Sequence, residues 1–309
     1  MRLIKDLKEL EGSKKEQFFG ITLGNFDGLH LGHNEFINFM VNDCKKNNLL
    51  PIVATFVPHP KLALSNIKHF LINDYVERRD LLSEMGLKYL YEIEFTKSLS
   101  LMDSTEFLDK YLFTKKNIIK IYLGHDFSFG KGKSFGPEII KKYCLAHKVK
   151  YHFQDQYAFS GHDVSSSKVR ESLSCGDIET ANKLLGRSYF ISGSVVKGFG
   201  RGQKIGFSTA NLDISSFKII PKNGVYVTQV EIGNNIFKSL TNVGNNPTFN
   251  SNSFSVETHI LEFNENLYDK NLKISFLKRI RDEIRFETVT DLKAQIQKDI
   301  SYAKEFFKK

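Results

Sequence analysis

Four stretches of this 309-residue chain carry residue types at spacings that can do chemistry, and three of them point at phosphate. In Leu23-Gly24-Asn25-Phe26-Asp27-Gly28-Leu29-His30-Leu31-Gly32-His33, the glycines let backbone N–H groups approach an anion closely. His30 and His33, three residues apart, can point into one pocket and donate to the same phosphate; the alternative is one capping and one surface histidine. In Val164-Ser165-Ser166-Ser167-Lys168-Val169-Arg170, hydroxyls able to cap a helix precede two cations on its first turns, which can grip phosphate or simply open a surface helix. Gly198-Phe199-Gly200-Arg201-Gly202-Gln203-Lys204-Ile205-Gly206-Phe207-Ser208-Thr209-Ala210-Asn211 is a glycine-rich basic loop, though not a Walker A. On a strand Thr209 and Asn211 share one side, and their oxygens are hard ligands suited to Mg²⁺; otherwise the segment is a glycine-rich hairpin. The fourth stretch is Ser255-Val256-Glu257-Thr258-His259-Ile260-Leu261. Alternation there sends Val256, Thr258 and Ile260 to one face, Glu257 and His259 to the other. Inside a barrel mouth Glu257 could accept the proton of an attacking hydroxyl; on an edge strand it would face water.

Elements must hold these residues in place. Phe18 to Leu23 has strand length, and Phe36, Ile37, Met40, Val41 and Cys44 recur at helical spacing, so the order strand, glycine turn, helix sets a positive helix dipole behind the turn. Pro51 to Val57 reads as a buried strand ended by Pro58-His59-Pro60. A helix follows from Tyr75 to Met85, ending near Gly86, with Arg78 and Arg79 on the surface. Next come a strand Tyr89 to Ile93, a helical stretch Ser104 to Phe113 and a central strand Ile118 to Leu123. That last strand runs into the basic loop Gly124 to Lys133, and a final helix closes at Gly186. Alternating strands and helices predict an α/β doubly wound parallel sheet with ligands at the carboxyl ends of its strands. Beyond Arg187, β-branched and aromatic runs recur over Tyr189 to Val196, Gly224 to Ile232, Phe237 to Val243, Phe254 to Phe263 and Leu272 to Phe276. These predict a small antiparallel β-barrel with a C-terminal helix over Asp291 to Phe307, striped by Leu292, Ile296, Ile300 and Ala303 and capped by Thr288. The domains are expected at 1–186 and 187–309.

Composition bounds the function. A hydrophobic share of 41% with 27 Phe is enough for two cores. Lys and Arg number 44 against 35 Asp and Glu, and the resulting +9 suits a polyanionic partner. Dispersed pairs such as Lys45-Lys46 and Lys115-Lys116 read as solvated surface, and without an arginine-rich run or zinc-finger spacing no nucleic-acid partner is expected. No apolar run has membrane-spanning length and Met1 to Lys8 is too charged for a secretory signal, so a soluble cytoplasmic protein without a membrane partner is expected. Cys44, Cys144 and Cys175 are widely separated, which predicts reduced thiols. Self-association is left open.

The longer phrase Gly24 to His33 resembles the opening motif of the adenylyltransferase module in the prokaryotic bifunctional riboflavin kinase/FAD synthetase family, built on the nucleotidylyltransferase fold. The resemblance implies nucleotide binding by Gly24, Asn25, Phe26, Asp27, Gly28 and Gly32. Phe56, Pro58, His59 and Pro60 match a Phe-x-Pro-His-Pro segment that lies beside the flavin and ATP pockets in that family. Gly124 to Gly130 matches Gly-x-Asp-Phe-x-Phe-Gly, which lines the flavin site and includes Asp126; relatives carry Arg where this chain has Ser128. The segment with Ser166, Ser167 and Arg170 resembles the Ser-Ser-Thr-x-Ile-Arg motif that holds ATP phosphates. In the second half, Gly198, Gly200, Arg201, Gly206, Thr209 and Asn211 match the nucleotide and metal segment of the riboflavin kinase module, with Ser208 in place of proline. Glu257 and His259 match its Val-Glu-x-His. Asn242 to Phe249 and Arg279 to Phe286 also resemble that module.

The resemblance therefore implies phosphorylation of riboflavin by ATP in the barrel and adenylylation of FMN to FAD in the first domain. Glu257 would deprotonate the riboflavin hydroxyl, Mg²⁺ would rest on Thr209 and Asn211, and His30, His33 and Arg170 would stabilise the α-phosphate and the leaving pyrophosphate. Two alternatives are an FAD synthetase with a weakened kinase module and a flavin-responsive regulatory protein that binds nucleic acid through its basic surface.

Overall fold

The computed structural model describes residues 1–10, 17–114, 117–124, 136–154, 158–159, 162–198, 202, 205–246 and 253–308. They form two compact units, one of residues 1–68 with 73–165 and one of residues 69–72 with 166–309.

In the first unit, strands β1 (Arg2–Ile4), β2 (Phe19–Leu23), β3 (Leu50–Val57), β4 (Tyr89–Glu94), β5 (Ile118–Gly124) and β6 (Lys150–Gln154) make one sheet in the order β1-β4-β3-β2-β5-β6. Every pairing in it is parallel. All of β2 is buried, as a strand covered on both faces must be. Helix α1 (Leu31–Lys46) buries Phe36, Ile37, Met40 and Cys44, the apolar stripe its spacing predicts. The other helices are α2 (Pro60–Leu64), α3 (Tyr75–Glu84), α4 (Lys97–Leu101), α5 (Ser104–Phe107) and α6 (Pro137–Ala146), and the predicted stretch to Phe113 continues α5 in a π-type turn over Leu108–Leu112. A two-stranded ribbon, β7 (Ala158–Phe159) and β8 (His162–Asp163), follows. After β2 the chain builds outward through β3 and β4, then crosses back to set β5 on the other side of β2. Doubly wound sheets bind ligands at the carboxyl ends of such a switch point, and the glycine turn leaves β2 there.

Arg78 does not lie on the surface as α3's polar pattern suggests, and Arg79 is half-buried. Arg78 is 2% exposed because Glu92 of β4, itself 1% exposed, draws both cations inward. Arg79 grips that carboxylate with Nε at 2.8 Å and Nη2 at 2.7 Å, Lys5 donates to it at 2.9 Å, and Arg78 Nη2 lies 3.9 Å away. Burial opposes ionisation, but the hydrogen bonds from Arg79 and Lys5 prevail and hold the Glu92 carboxyl below the usual carboxylate range. A carboxyl depressed on folding adds stability above its unfolded pKa and withdraws it as pH falls through the folded value, so acidification weakens this unit. Glu92→Gln would strand the buried guanidinium of Arg78, and urea unfolding is expected to show a loss of about 3–5 kcal/mol. A loss below about 1 kcal/mol would mean that solvent already screens the pair.

In the second unit, α7 (Ser166–Cys175) and α8 (Ile178–Leu185) precede strands β9 (Tyr189–Val196), β10 (Ala210–Asp213), β11 (Gly224–Ile232), β12 (Asn235–Asn246), β13 (Ser253–Ile260) and β14 (Asn271–Arg281). The strands close as an antiparallel barrel in the order β10-β13-β12-β11-β14-β9. Helix α9 (Val289–Phe306), capped by Thr288, buries Ile300 and Ala303 against Val225, Val227 and Leu240. Strands β12 and β14 outrun the predicted apolar cores because backbone pairing carries their polar ends. Cys44 and Cys144 are buried free thiols, with Cys144 pushed up to about 11 by burial, and Cys175 is an exposed one.

Candidate active site

The glycine turn of the first unit is held in a conformation that costs energy. Phe26 and Leu29 have φ of 48° and 40°, and Gly28 has φ of 85°. Non-glycine residues there cost about 1 kcal/mol or more each and persist only when their surroundings over-determine them. Here they do. The Asn25 carbonyl accepts from Thr55 Oγ1 at 3.3 Å and from Arg78 Nη1 at 3.0 Å, the Asp27 carboxylate accepts from the Asn73 N–H at 3.3 Å, and Gly24 donates to the Ala54 carbonyl at 3.1 Å. Asn25 itself is exposed.

His30 is the N-cap of α1, its Nδ1 accepting from the His33 N–H at 3.3 Å. The capping alternative is thus half true, yet it leaves the chemistry intact: a ring that accepts at Nδ1 carries its proton on Nε2, so it is fixed as a donor. His33 is half-buried rather than a surface residue, and its ring stacks on His30 with centroids 3.7 Å apart while Phe26 meets it edge-on at 5.3 Å. Gly32 lies between the two in the first turn of α1, where backbone N–H groups and the helix dipole favour an anion.

The other predicted residues of this site are less concentrated. Phe56 is 3% exposed and packs on Phe95 and Phe107. Pro58 lies at the carboxyl end of β3, and His59 caps α2 by accepting from the Lys61 N–H at 3.1 Å. Asp126 falls outside the described residues. Ser166 opens α7 with Ser167 exposed beside it, and Arg170, about one turn in, belongs to the second unit with the other residues of α7. Its Nε donates to the Phe70 carbonyl at 3.0 Å, and the guanidinium lies 3.9 Å from the centre of the Phe70 ring.

In the barrel, β13 runs between β10 and β12, so the edge-strand alternative for Glu257 does not hold. Val256, Thr258 and Ile260 are buried, and Thr258 joins an interior hydroxyl chain through Thr241 at 2.8 Å. His259 opposes Leu240, which packs with α9, and residues opposed across a ladder share a face. Glu257 and His259 therefore point to the outer wall, not into the barrel. On that wall Glu257 is flanked by Asn211 of β10 and Asn242 of β12. Thr209 Oγ1 donates to Glu257 Oε2 at 3.4 Å, a long bond. The Asn211 amide lies over Gly198, where an added Cβ would stand 2.2 Å from Nδ2 and push the amide aside.

A cavity of about 390 Å³ opens beside this group, lined by Gly198, Ser208, Thr209, Asn211, Ile260 and Tyr268 among others. Gly206 is exposed at the end of the loop, while Gly200 and Arg201 lie outside the described residues. Among the described residues no three His, Cys, Asp or Glu side chains cluster as metal ligands. The oxygens of Thr209, Asn211 and Glu257 are a donor set that a hard cation would complete with phosphate oxygens. Sequence reasoning missed the supports: Thr55 and Arg78 under Asn25, Asn242 beside Glu257, and the His259 ring, which donates from Nδ1 to the Ser208 carbonyl at 2.8 Å. Of these, His259 had left a signal in Val-Glu-x-His, and Asn242 in the segment Asn242 to Phe249.

Two family models divide the chain, "FAD synthetase" over residues 13–168 and "Riboflavin kinase" over residues 185–307. The bifunctional riboflavin kinase/FMN adenylyltransferase of Bacillus subtilis is 33% identical, covering 95% of this chain and 94% of its own. The Escherichia coli protein of the same name is 29% identical, covering 99% and 98%. A crystal structure named as a macrolide-efflux protein from Streptococcus pneumoniae matches with a TM-score of 0.86 and 30% identity over 98% of both chains.

Proposed function

The chain belongs to the bifunctional riboflavin kinase/FMN adenylyltransferase family, and from that membership we infer how its residues divide the work. The enzyme phosphorylates riboflavin to FMN and adenylylates FMN to FAD, with ATP as co-substrate in both steps. The kinase reaction falls to residues 187–309 and the adenylyl transfer to residues 1–186. The observation that carries this reading is the outer-wall cluster of Thr209, Asn211 and Glu257 beside the cavity, inside the segment matched by the riboflavin kinase model.

In the kinase, Glu257 orients the riboflavin 5′-hydroxyl and takes its proton as the oxygen attacks the γ-phosphate. Phosphoryl transfer needs mainly positioning and charge neutralisation, and a carboxylate held between two asparagines meets the first need. Mg²⁺, held by Thr209, Asn211 and phosphate oxygens, would supply the second. Thr209→Val is expected to slow FMN formation by about tenfold or more and to raise the Mg²⁺ needed for half-maximal rate, with FAD formation from FMN unchanged. An unaltered Mg²⁺ requirement would remove Thr209 from the metal site.

In adenylyl transfer the FMN phosphate is already an anionic nucleophile, so no base is required. His30 and His33 would donate to the α-phosphate as negative charge builds, and Arg170 to the departing pyrophosphate. Asn25, Phe26, Asp27 and Gly28 shape the turn around the nucleotide. No covalent enzyme intermediate is involved.

The reading with a weakened kinase rests on Ser208, and the hydrogen bond from His259 to its carbonyl weighs against it, because that bond restrains the backbone where proline is missing. Efflux is not carried over from the Streptococcus protein: no described helix is long and apolar enough to cross a membrane, and both family models concern flavin chemistry. Incubation with riboflavin, ATP and Mg²⁺, followed by separation of FMN and FAD, tests the whole reading. Both products are expected; riboflavin recovered unchanged while supplied FMN becomes FAD would leave only the second activity.

A further inference from the structure

Residues 69–72 come from the middle of the first unit's sequence but pack with the second unit. Backbone hydrogen bonds run from His69 to Ser216, from Phe70 and Leu71 to Phe217, and from Ile219 back to Leu71. Leu71 is 2% exposed and Ile72 is fully buried. The ammonium of Lys218, 1% exposed and set over the rings of Tyr189 and Phe190, donates to the Ile72 carbonyl at 2.7 Å. This strap is therefore anchored by its backbone, by Leu71 and Ile72, and by a buried lysine. The half-buried Phe70 ring lies against the guanidinium of Arg170.

We propose that Phe70 is a positioning residue for adenylyl transfer, its ring and carbonyl fixing the guanidinium of Arg170 for pyrophosphate. The proposal rests on the reading of Arg170 as the pyrophosphate ligand. A planar guanidinium stacked at 3.9 Å on a ring and bonded through Nε at 3.0 Å is restrained in both tilt and rotation. Held in that plane, the fork geometry of a guanidinium suits a pyrophosphate that gains charge as the bond to the α-phosphorus breaks. Loss of the ring would leave the charge in place but free its orientation, which lowers the rate of transfer more than the affinity for FMN.

The test compares Phe70→Leu, Phe70→Tyr and Arg170→Lys in the full-length enzyme, with FMN formation from riboflavin as the internal measure of an intact second unit. Phe70→Leu keeps the backbone carbonyl and much of the volume but loses the cation–π contact; kcat for FAD formation is expected to fall about tenfold, with KM for FMN and the kinase rate unchanged. Phe70→Tyr should restore the rate, and Arg170→Lys should be at least as slow as Phe70→Leu. If Phe70→Leu matches the unaltered enzyme while Arg170→Lys is slow, Phe70 positions nothing and the role of Arg170 survives. If Leu and Tyr are equally damaging, the ring acts by packing and the proposal fails. If Arg170→Lys costs nothing, it is the assignment of Arg170 that fails.

Discussion

Glu257→Ala is expected to abolish FMN formation from riboflavin while FAD formation from supplied FMN continues at its normal rate. A positioned general base contributes about 10²–10⁴ in rate, and Glu257 is the carboxylate bonded to Thr209 at the cavity. Its neighbours sharpen the expectation. Asn211 and Asn242 oppose it across two ladders, and the outer-wall position means that removing the side chain opens no hole in the barrel interior. Structural loss should therefore be small, and Glu257→Gln separates the two needs of the step: it keeps the shape and loses the proton acceptor. Both variants should fall by about 10² or more if proton transfer limits the step, whereas a near-normal Gln variant would reduce Glu257 to an orienting group. Loss of FAD synthesis as well, in a protein whose unfolding is unchanged, would refute independent sites.

How far these sites could be read in advance depended on whether their determinants are local. The turn from Gly24 to His33 was legible because glycine placement, a helix start and two histidines at fixed spacing are all contained in one stretch. Its supports were not. Arg78 looked like one of two surface cations on a polar helix, and nothing near it in the chain announces that Glu92, on a different element, will be buried beside it. The short strands Arg2–Ile4 and Lys150–Gln154 were overlooked for the same reason, since backbone pairing to β4 and β5 rather than an apolar run makes them strands. Glu257 shows a subtler limit. Alternation separated its two faces correctly but could not say which face was the interior; the packing of α9 against Leu240 decides that, from a helix far along the chain.

The same contrast runs through the groups proposed for catalysis. Thr209 and Asn211 were singled out because a period of two puts them on one side, and β13 brings Glu257 to the same wall. Arg170 was singled out by its place in a motif, but its guanidinium rests on Phe70, on a strap that neither composition nor periodicity distinguishes from an ordinary loop. Motifs single out candidate groups. Non-local contacts decide where those groups point.

The histidine pair offers the second large effect. His30→Ala combined with His33→Ala is expected to lower FAD formation by about 10³ or more while FMN formation from riboflavin is spared, since a single preorganised donor to developing charge is worth about 10²–10³. The double variant alone is open to a trivial explanation, because His30 also caps α1 and its loss would cost the helix about 1 kcal/mol. His30→Asn resolves this. Asparagine is among the best capping residues, so it can accept from the His33 N–H as the imidazole does, but its short amide cannot reach where Nε2 donates. The Asn variant is expected to melt like the unaltered enzyme and still lose about 10² in FAD synthesis. Normal FAD synthesis in His30→Asn would mean that the imidazole serves the helix alone, and normal synthesis in the double variant would remove both rings from phosphate binding and leave the turn's backbone N–H groups and the α1 dipole as its anion site.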